Sequence, residues 1–178
     1  MIRRAKKEDA KVIGNLIKRS WQIAYKDLID QNSLNSMQED ILIKNWEECI
    51  LSQNEQNNIF VYEENSKILG VIRFGSLNDD KYNAEIYVLY VEPQVKRQGI
   101  GTKLFKYAKE ILIKNNKAHL IVWCLKGNEP SIDFYKKMGG IISTERIATV
   151  NNIKLEEVGM EYNLDKLRLV KSTKEHES

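Results

Sequence analysis

The chain is predicted to fold as a mixed α/β (α+β) domain, with helices packed on one central, mostly antiparallel sheet. Three observations predict it. Up to about residue 53 the apolar residues recur at helical spacing, and from residue 59 the pattern switches to the alternation and short apolar runs of strands. A glycine-containing stretch, Lys96-Arg97-Gln98-Gly99-Ile100-Gly101, then joins a strand-like run to an amphipathic helical one. Finally, the apolar run at 120–125 lies between two helical patterns, as a strand buried on both faces does.

Ile2-Arg3-Arg4 reads as a short first strand. Residues 7–20 carry Val12, Ile13, Leu16 and Ile17 at helical spacing; Trp21, Ala24, Tyr25 and Leu28 continue it as a second helix after a break. Residues 33–36 read as a turn and cap before a helix over 37–53, with Ile41, Leu42, Trp46, Cys49 and Ile50 on one side. A polar loop over 54–58 leads to the strand Ile59-Phe60-Val61-Tyr62, a turn at 63–66 and a returning strand at 68–77. After a polar turn at 78–83 comes a third strand, 84–91, which Glu92-Pro93 ends because proline cannot donate to a ladder. Residues 99–115 put Leu104, Phe105, Ala108, Ile111 and Leu112 on one helical face. Beyond the 120–125 strand, a short helix over 129–138 begins at Glu129-Pro130, with proline suited to a first turn, and closes at Gly139-Gly140. Residues 141–150 and 153–164 pair as a hairpin across Asn151-Asn152. Residues 1–170 thus make one domain, and the polar tail at 171–178 is expected to be disordered.

Composition narrows the function classes. A hydrophobic fraction of 42% with 30% charged residues is that of an ordinary globular protein. The net charge of +3 is mild and its basic residues are scattered, which argues against nucleic acid as a partner. Cys49, Cys124, His119 and His176 lie far apart without metal-ligand spacing, so no metal is expected. No run approaches the roughly twenty apolar residues of a membrane span. Met1-Ile2-Arg3-Arg4 enters charged sequence without an apolar signal core, so the expected location is the reducing cytoplasm.

The glycine stretch carries the most chemistry. A helix start has backbone N–H groups without intrahelical partners and the positive end of the helix dipole. Glycines there let phosphate oxygens reach several amides at once, and Lys96, Arg97 and Lys103 add positive charge. By itself the hexapeptide is also compatible with a tight strand-to-helix turn bearing a solvated basic rim. Neither well-known nucleotide loop fits. A dinucleotide fingerprint needs a glycine where Leu104 stands, and the Gly-Lys-Ser/Thr of a triphosphate loop is absent.

These residues resemble the GNAT superfamily of acyl-CoA-dependent N-acetyltransferases. That family's phosphate loop is Gln/Arg-x-x-Gly-x-Gly/Ala after a strand; Lys96-Arg97-Gln98-Gly99-Ile100-Gly101 matches it, with Lys96 in place of the usual Gln or Arg. Downstream, Asn128-Glu129-Pro130-Ser131-Ile132-Asp133-Phe134-Tyr135 resembles the family's Asn-x-x-Ala/Ser-x-x-Phe-Tyr stretch. The resemblance implies the single-domain GNAT fold, with helices on both faces of the sheet, and acetyl-CoA as acyl donor. It implies that the amides from Arg97 through Gln98, Gly99, Ile100 and Gly101 to Thr102, with the Thr102 hydroxyl, hold the coenzyme's pyrophosphate. Main-chain groups at Leu89, Tyr90 and Val91 would bond the pantetheine arm as an added strand does. Asn128 and Ser131 border that arm. Asn128 reads equally as a helix N-cap.

Within the resemblance, Tyr135 matches the tyrosine that approaches the coenzyme sulfur and is the candidate acid; its alternative is a packing role beside Phe134. Glu85, eleven residues before Lys96, has the spacing of the base glutamate in histone-type members. Strand alternation groups Glu85 with Tyr87, Leu89 and Val91, and burial there would raise its pKa. Its alternative is an exposed strand-end glutamate, with an ordered water relay as base. Trp21 and Tyr25 lie in N-terminal helices that cover the acceptor side in the family, with core packing as their alternative. Trp46, Trp123 and Cys124 read as core residues.

The expected function is direct acetyl transfer to a primary amine, on a polyamine, an amino sugar, an antibiotic or a protein. The competing class is a non-catalytic acyl-CoA-binding sensor, which would keep the cradle and lose the proton-transfer groups. A homodimer formed through the C-terminal hairpin is compatible with the sequence.

Overall fold

The computed structural model describes residues 1–150 and 153–165. The expected Asn151-Asn152 turn and the 171–178 tail lie outside the described residues. One seven-stranded sheet forms the centre, in the order β1-β2-β3-β4-β5-β7-β6. Its strands are β1 (Ile2–Arg4), β2 (Asn58–Glu64), β3 (Lys67–Ser76), β4 (Ala84–Val91), β5 (His119–Leu125), β6 (Ile141–Val150) and β7 (Ile153–Asn163). Every neighbouring pair is antiparallel except β4 and β5. Two apolar layers sandwich it, as a two-faced sheet requires. Helices α1 (Ala10–Ala24) and α3 (Glu39–Leu51) bury Ile13, Leu16, Trp46 and Ile50 against Ile59, Val61 and Val71. On the other face, α4 (Ile100–Lys114) and α5 (Glu129–Lys137) bury Leu104, Phe105, Ala108 and Ile132 against Ile72, Ile86, Val122 and Met160.

Three local expectations are corrected. Helix α1 runs unbroken through Trp21 to Ala24, because Ile13, Leu16 and Ile17 keep one continuous buried stripe. It follows a single 3-10 turn, Lys7–Asp9, where the Asp9 carboxylate accepts from the Lys6 amide at 2.8 Å and pairs with Arg3 at 2.6 Å. Residues 33–36 are not merely a turn. A short helix, α2 (Gln31–Asn35), covers most of them, capped by Asp30, whose carboxylate accepts from the Ser33 amide at 3.1 Å. The third correction concerns β4, where the ladder to β3 shifts between Arg73 and Phe74 so that Tyr87 is bulged. Alternation therefore reverses along the strand. Leu89 and Val91 pack with the α4 layer, and Val88 and Tyr90 with the α1 layer. Glu85 does not share a face with Leu89 and Val91.

Helix α4 starts hard against β3. A Cβ on Gly70 would stand 3.0 Å from Leu104 and 3.2 Å from Ile100, the residue that opens the helix. Gly70→Val is expected to cost about 1–3 kcal/mol through overpacking, read as a lowered denaturation midpoint. Ile100, which opens the helix, would have to move with it.

Candidate active site

The glycine stretch forms the turn where β4 hands over to α4. Arg97 and Gly99 both have left-handed backbones, with φ of 66° and 77°. Left-handed residues alternating with ordinary ones turn successive amides toward one concavity, the geometry of an anion-binding nest. The first bond inside the helix runs from the Lys103 amide to the Gly99 carbonyl at 2.9 Å, so the amides at 100–102 precede the intrahelical ladder. Lys96, Arg97, Gln98 and Gly99 are exposed, whereas Ile100 is buried and pins the helix start to the core. A Cβ on Gly99 would meet nothing within 4 Å, so the space beyond its Cα is open. Gly101 faces Val91 and Phe134, and Thr102 is half-buried beside it.

From this loop a slot runs back between β4 and β5. The two strands pair only at Ala84, Glu85 and Ile86 with Leu120, Ile121 and Val122; beyond that they part. The β5-facing backbone of residues 87–91 is therefore outside any ladder. Tyr25, Leu89, Tyr90, Asn128, Ser131 and Tyr135 line the slot. Asn128 occupies the N-cap position of α5 without a side-chain cap; its amide instead donates to the Ser131 hydroxyl at 2.9 Å. Tyr135 is fixed by ring contacts with Phe105 and Phe134 and by the Tyr162 hydroxyl, which donates to the Tyr135 carbonyl at 2.9 Å. Burial raises the Tyr135 and Tyr90 phenols well above their ordinary value, so both stay protonated at neutral pH. Burial also pushes the Cys124 thiol up to about 12, which removes it as a thiolate nucleophile. Trp46 is in the core, as its sequence position suggests. Trp21 and Tyr25 meet edge to face at 5.1 Å, and the Tyr25 and Tyr90 hydroxyls are 3.1 Å apart across the α1–β4 contact.

Glu85 opens onto the opposite side of the same strand pair. It is half-buried in the wall of a second cavity of about 410 Å³, together with Asp79, Lys81, Tyr82, Trp123 and Arg146. Desolvation raises its pKa; Arg146 opposes the shift and Glu157 adds to it. The Arg146 guanidinium stacks 4.0 Å above the Trp123 ring, and its Nε donates to Glu157 at 2.7 Å. Asp79, Arg146 and Glu157 escape a reading of the sequence, and Trp123 is half-buried in the cavity wall rather than wholly in the core. Only the register β5–β7–β6 brings Trp123, Gly159 and Thr144 side by side, and no local pattern encodes it. Among the described residues, no group of three or more His, Cys, Asp or Glu could hold a metal ion. No described helix is long and apolar enough to cross a membrane.

The sequence and the fold have counterparts in known proteins. The sequence model of the Acetyltransferase (GNAT) family matches residues 19–140. An uncharacterised N-acetyltransferase of Bacillus subtilis (strain 168), YuaI, is 30% identical over 165 residues, spanning 89% of this chain and 90% of YuaI. Among solved structures, the PaiA N-acetyltransferase of Thermoplasma acidophilum in complex with coenzyme A has a TM-score of 0.76 at 20% identity, over 92% of this chain and 98% of that one. YncA of Salmonella typhimurium, solved with acetyl-CoA, has a TM-score of 0.68 at 21% identity, over 92% and 93% of the two chains.

Proposed function

This chain belongs to the Acetyltransferase (GNAT) family, and from that premise we propose that it transfers acetyl from acetyl-CoA directly to a primary amine. The observation that carries the reading is the parting of β4 and β5 beyond Ile86 and Val122, directly beside a nest of free helix-start amides. The residues fit the donor. Amides and the hydroxyl at Thr102 offer donors for a pyrophosphate, and the unpaired edge of residues 89–91 can extend the sheet with the amides of pantetheine. Asn128 and Ser131 form the facing wall.

Acetyl-CoA supplies a thioester carbon open to attack, and the chain's residues handle protons and orientation. An alkylammonium, with a pKa near 10.4, must lose a proton before its nitrogen can attack. Glu85 accepts that proton, directly or through a water. As the new C–N bond forms, the C–S bond breaks and its electron pair stays on sulfur. Tyr135 donates its phenolic proton toward that sulfur and regains one from solvent or from the protonated base. No covalent enzyme intermediate is needed, and the buried, protonated Cys124 thiol is not a competent nucleophile. Two unpaired thiols, Cys49 and Cys124, support a reducing, cytoplasmic location.

The test is acetyl-CoA titration by calorimetry, followed by thiol release against a panel of primary amines. Tyr135→Phe should lower kcat by about 10²-fold with little change in acetyl-CoA affinity. Undiminished turnover in that variant would remove Tyr135 as the acid. Acetyl-CoA binding with no amine consumed, in a panel spanning polyamines, amino sugars and peptides, would instead favour the sensor reading.

A further inference from the structure

The cavity at Glu85 has a charge balance that selects among amines. Both cations in its wall are already matched: the Lys81 ammonium lies 3.3 Å from Glu161, and the Arg146 guanidinium 2.7 Å from Glu157. A third cation on this face, Arg73, is committed elsewhere, donating to the Asn57 side chain at 2.8 Å with its guanidinium over the Tyr87 ring. Two carboxylates remain. Among the described residues, neither Glu85 nor Asp79 has an ion-pair partner within 4.0 Å, yet both line the cavity. Asp79 stays ionised, because one of its oxygens accepts from the Tyr82 and Lys81 amides and holds its pKa below the ordinary value. Leu77, Ile121 and the Trp123 indole supply the apolar part of the wall.

Resting on the acetyltransferase reading above, we infer that the acceptor of this enzyme is a dication: a primary amine joined by a short alkyl spacer to a second positively charged centre. The reacting amine delivers its proton to Glu85, the spacer lies on the apolar wall, and the distal cation pairs with Asp79. A carboxylated amine brings a third negative charge to a surface whose guanidinium is already occupied by Glu157. A neutral-tailed amine leaves Asp79 without a counter-ion.

The experiment measures binding, so it does not depend on turnover. Protein saturated with coenzyme A is titrated by calorimetry with 1,4-diaminobutane, butylamine and 4-aminobutanoate. Diaminobutane should bind about three- to fivefold more tightly than butylamine, the range of an exposed ion pair, and 4-aminobutanoate most weakly. The preference should shrink at 0.5 M salt, which screens an exposed pair. Asp79→Asn keeps the oxygen that caps the Tyr82 and Lys81 amides but loses the charge, and should bring the diaminobutane-to-butylamine ratio close to one. Equal affinities in the natural chain, tighter binding of 4-aminobutanoate, absence of diamine binding, or a ratio unmoved by Asp79→Asn would each overturn the dication inference while leaving coenzyme binding and the acetyltransferase reading standing. Failure of coenzyme A itself to bind would overturn both.

Discussion

Gly99→Glu should abolish coenzyme binding. Two effects combine at one atom. The residue sits at φ 77°, where a side chain costs about 1 kcal/mol through contact with its own carbonyl. The larger effect is on the ligand. The space beyond the Gly99 Cα is open to 4 Å, and on the proposed reading a diphosphate approaches the amides at 100–102 through it. A carboxylate there fills it and repels a like charge, which at close range costs several kcal/mol, an affinity loss of about 10²-fold or more. Gly99→Ala separates the two effects, since it adds backbone strain and a methyl group but no charge. Its melting temperature should fall about as much as that of the glutamate variant, with a far smaller loss of affinity. Acetyl-CoA calorimetry on both proteins decides the matter. Equal affinities for Gly99→Glu and the natural chain would remove this loop as the phosphate site.

Glu85→Gln has the second largest expected effect, and it moves activity and stability in opposite directions. As the proposed base, Glu85 must be ionised, and burial raises its pKa above the ordinary 4.5. The acidic limb of kcat/KM should therefore lie above that value in the natural chain. In the glutamine variant the limb should vanish and kcat/KM fall by about 10²-fold. Stability follows from the same shift. A carboxyl whose pKa is higher folded than unfolded stabilises the fold below its unfolded pKa, and that contribution is lost as pH rises through the folded one. At pH 7 the ionised Glu85 is thus a net burden on the native state, and a neutral isostere of equal shape should raise the melting temperature. Lower activity together with unchanged or lower thermal stability would contradict the desolvated-base assignment.

Much of this architecture is legible in the sequence, because it is written in short-range patterns. Strands 84–91 and 120–125 follow from short apolar runs bounded by turn residues, and the α4 start follows from glycines after a proline-terminated strand. What escapes is non-local. The bulge at Tyr87 depends on how β3 pairs with β4, and it moves Leu89 and Val91 to the other face with no mark in the local sequence. The wall of the Glu85 cavity is assembled from β4, β5, β6 and the 78–83 turn, so Asp79, Trp123 and Arg146 meet only after the strand order 4-5-7-6 is known. The continuity of α1 through Trp21 was obscured for a different reason: aromatic residues on a helix end resemble the start of a new amphipathic stripe until their buried neighbours are seen.

The short β4–β5 contact has a consequence for how the protein holds together. Among the described residues, three residue pairs ladder the β1–β4 half of the sheet to the β5–β7 half. An arm of pantetheine bonded to both strands would act as a removable eighth strand, stitching two leaves that are otherwise joined along a short spine. Donor occupancy and rigidity are then one variable: the slot-facing amides of residues 87–91 and 123–125 should exchange faster in the empty protein than in the donor-bound one, and a bound donor should quiet both stretches together.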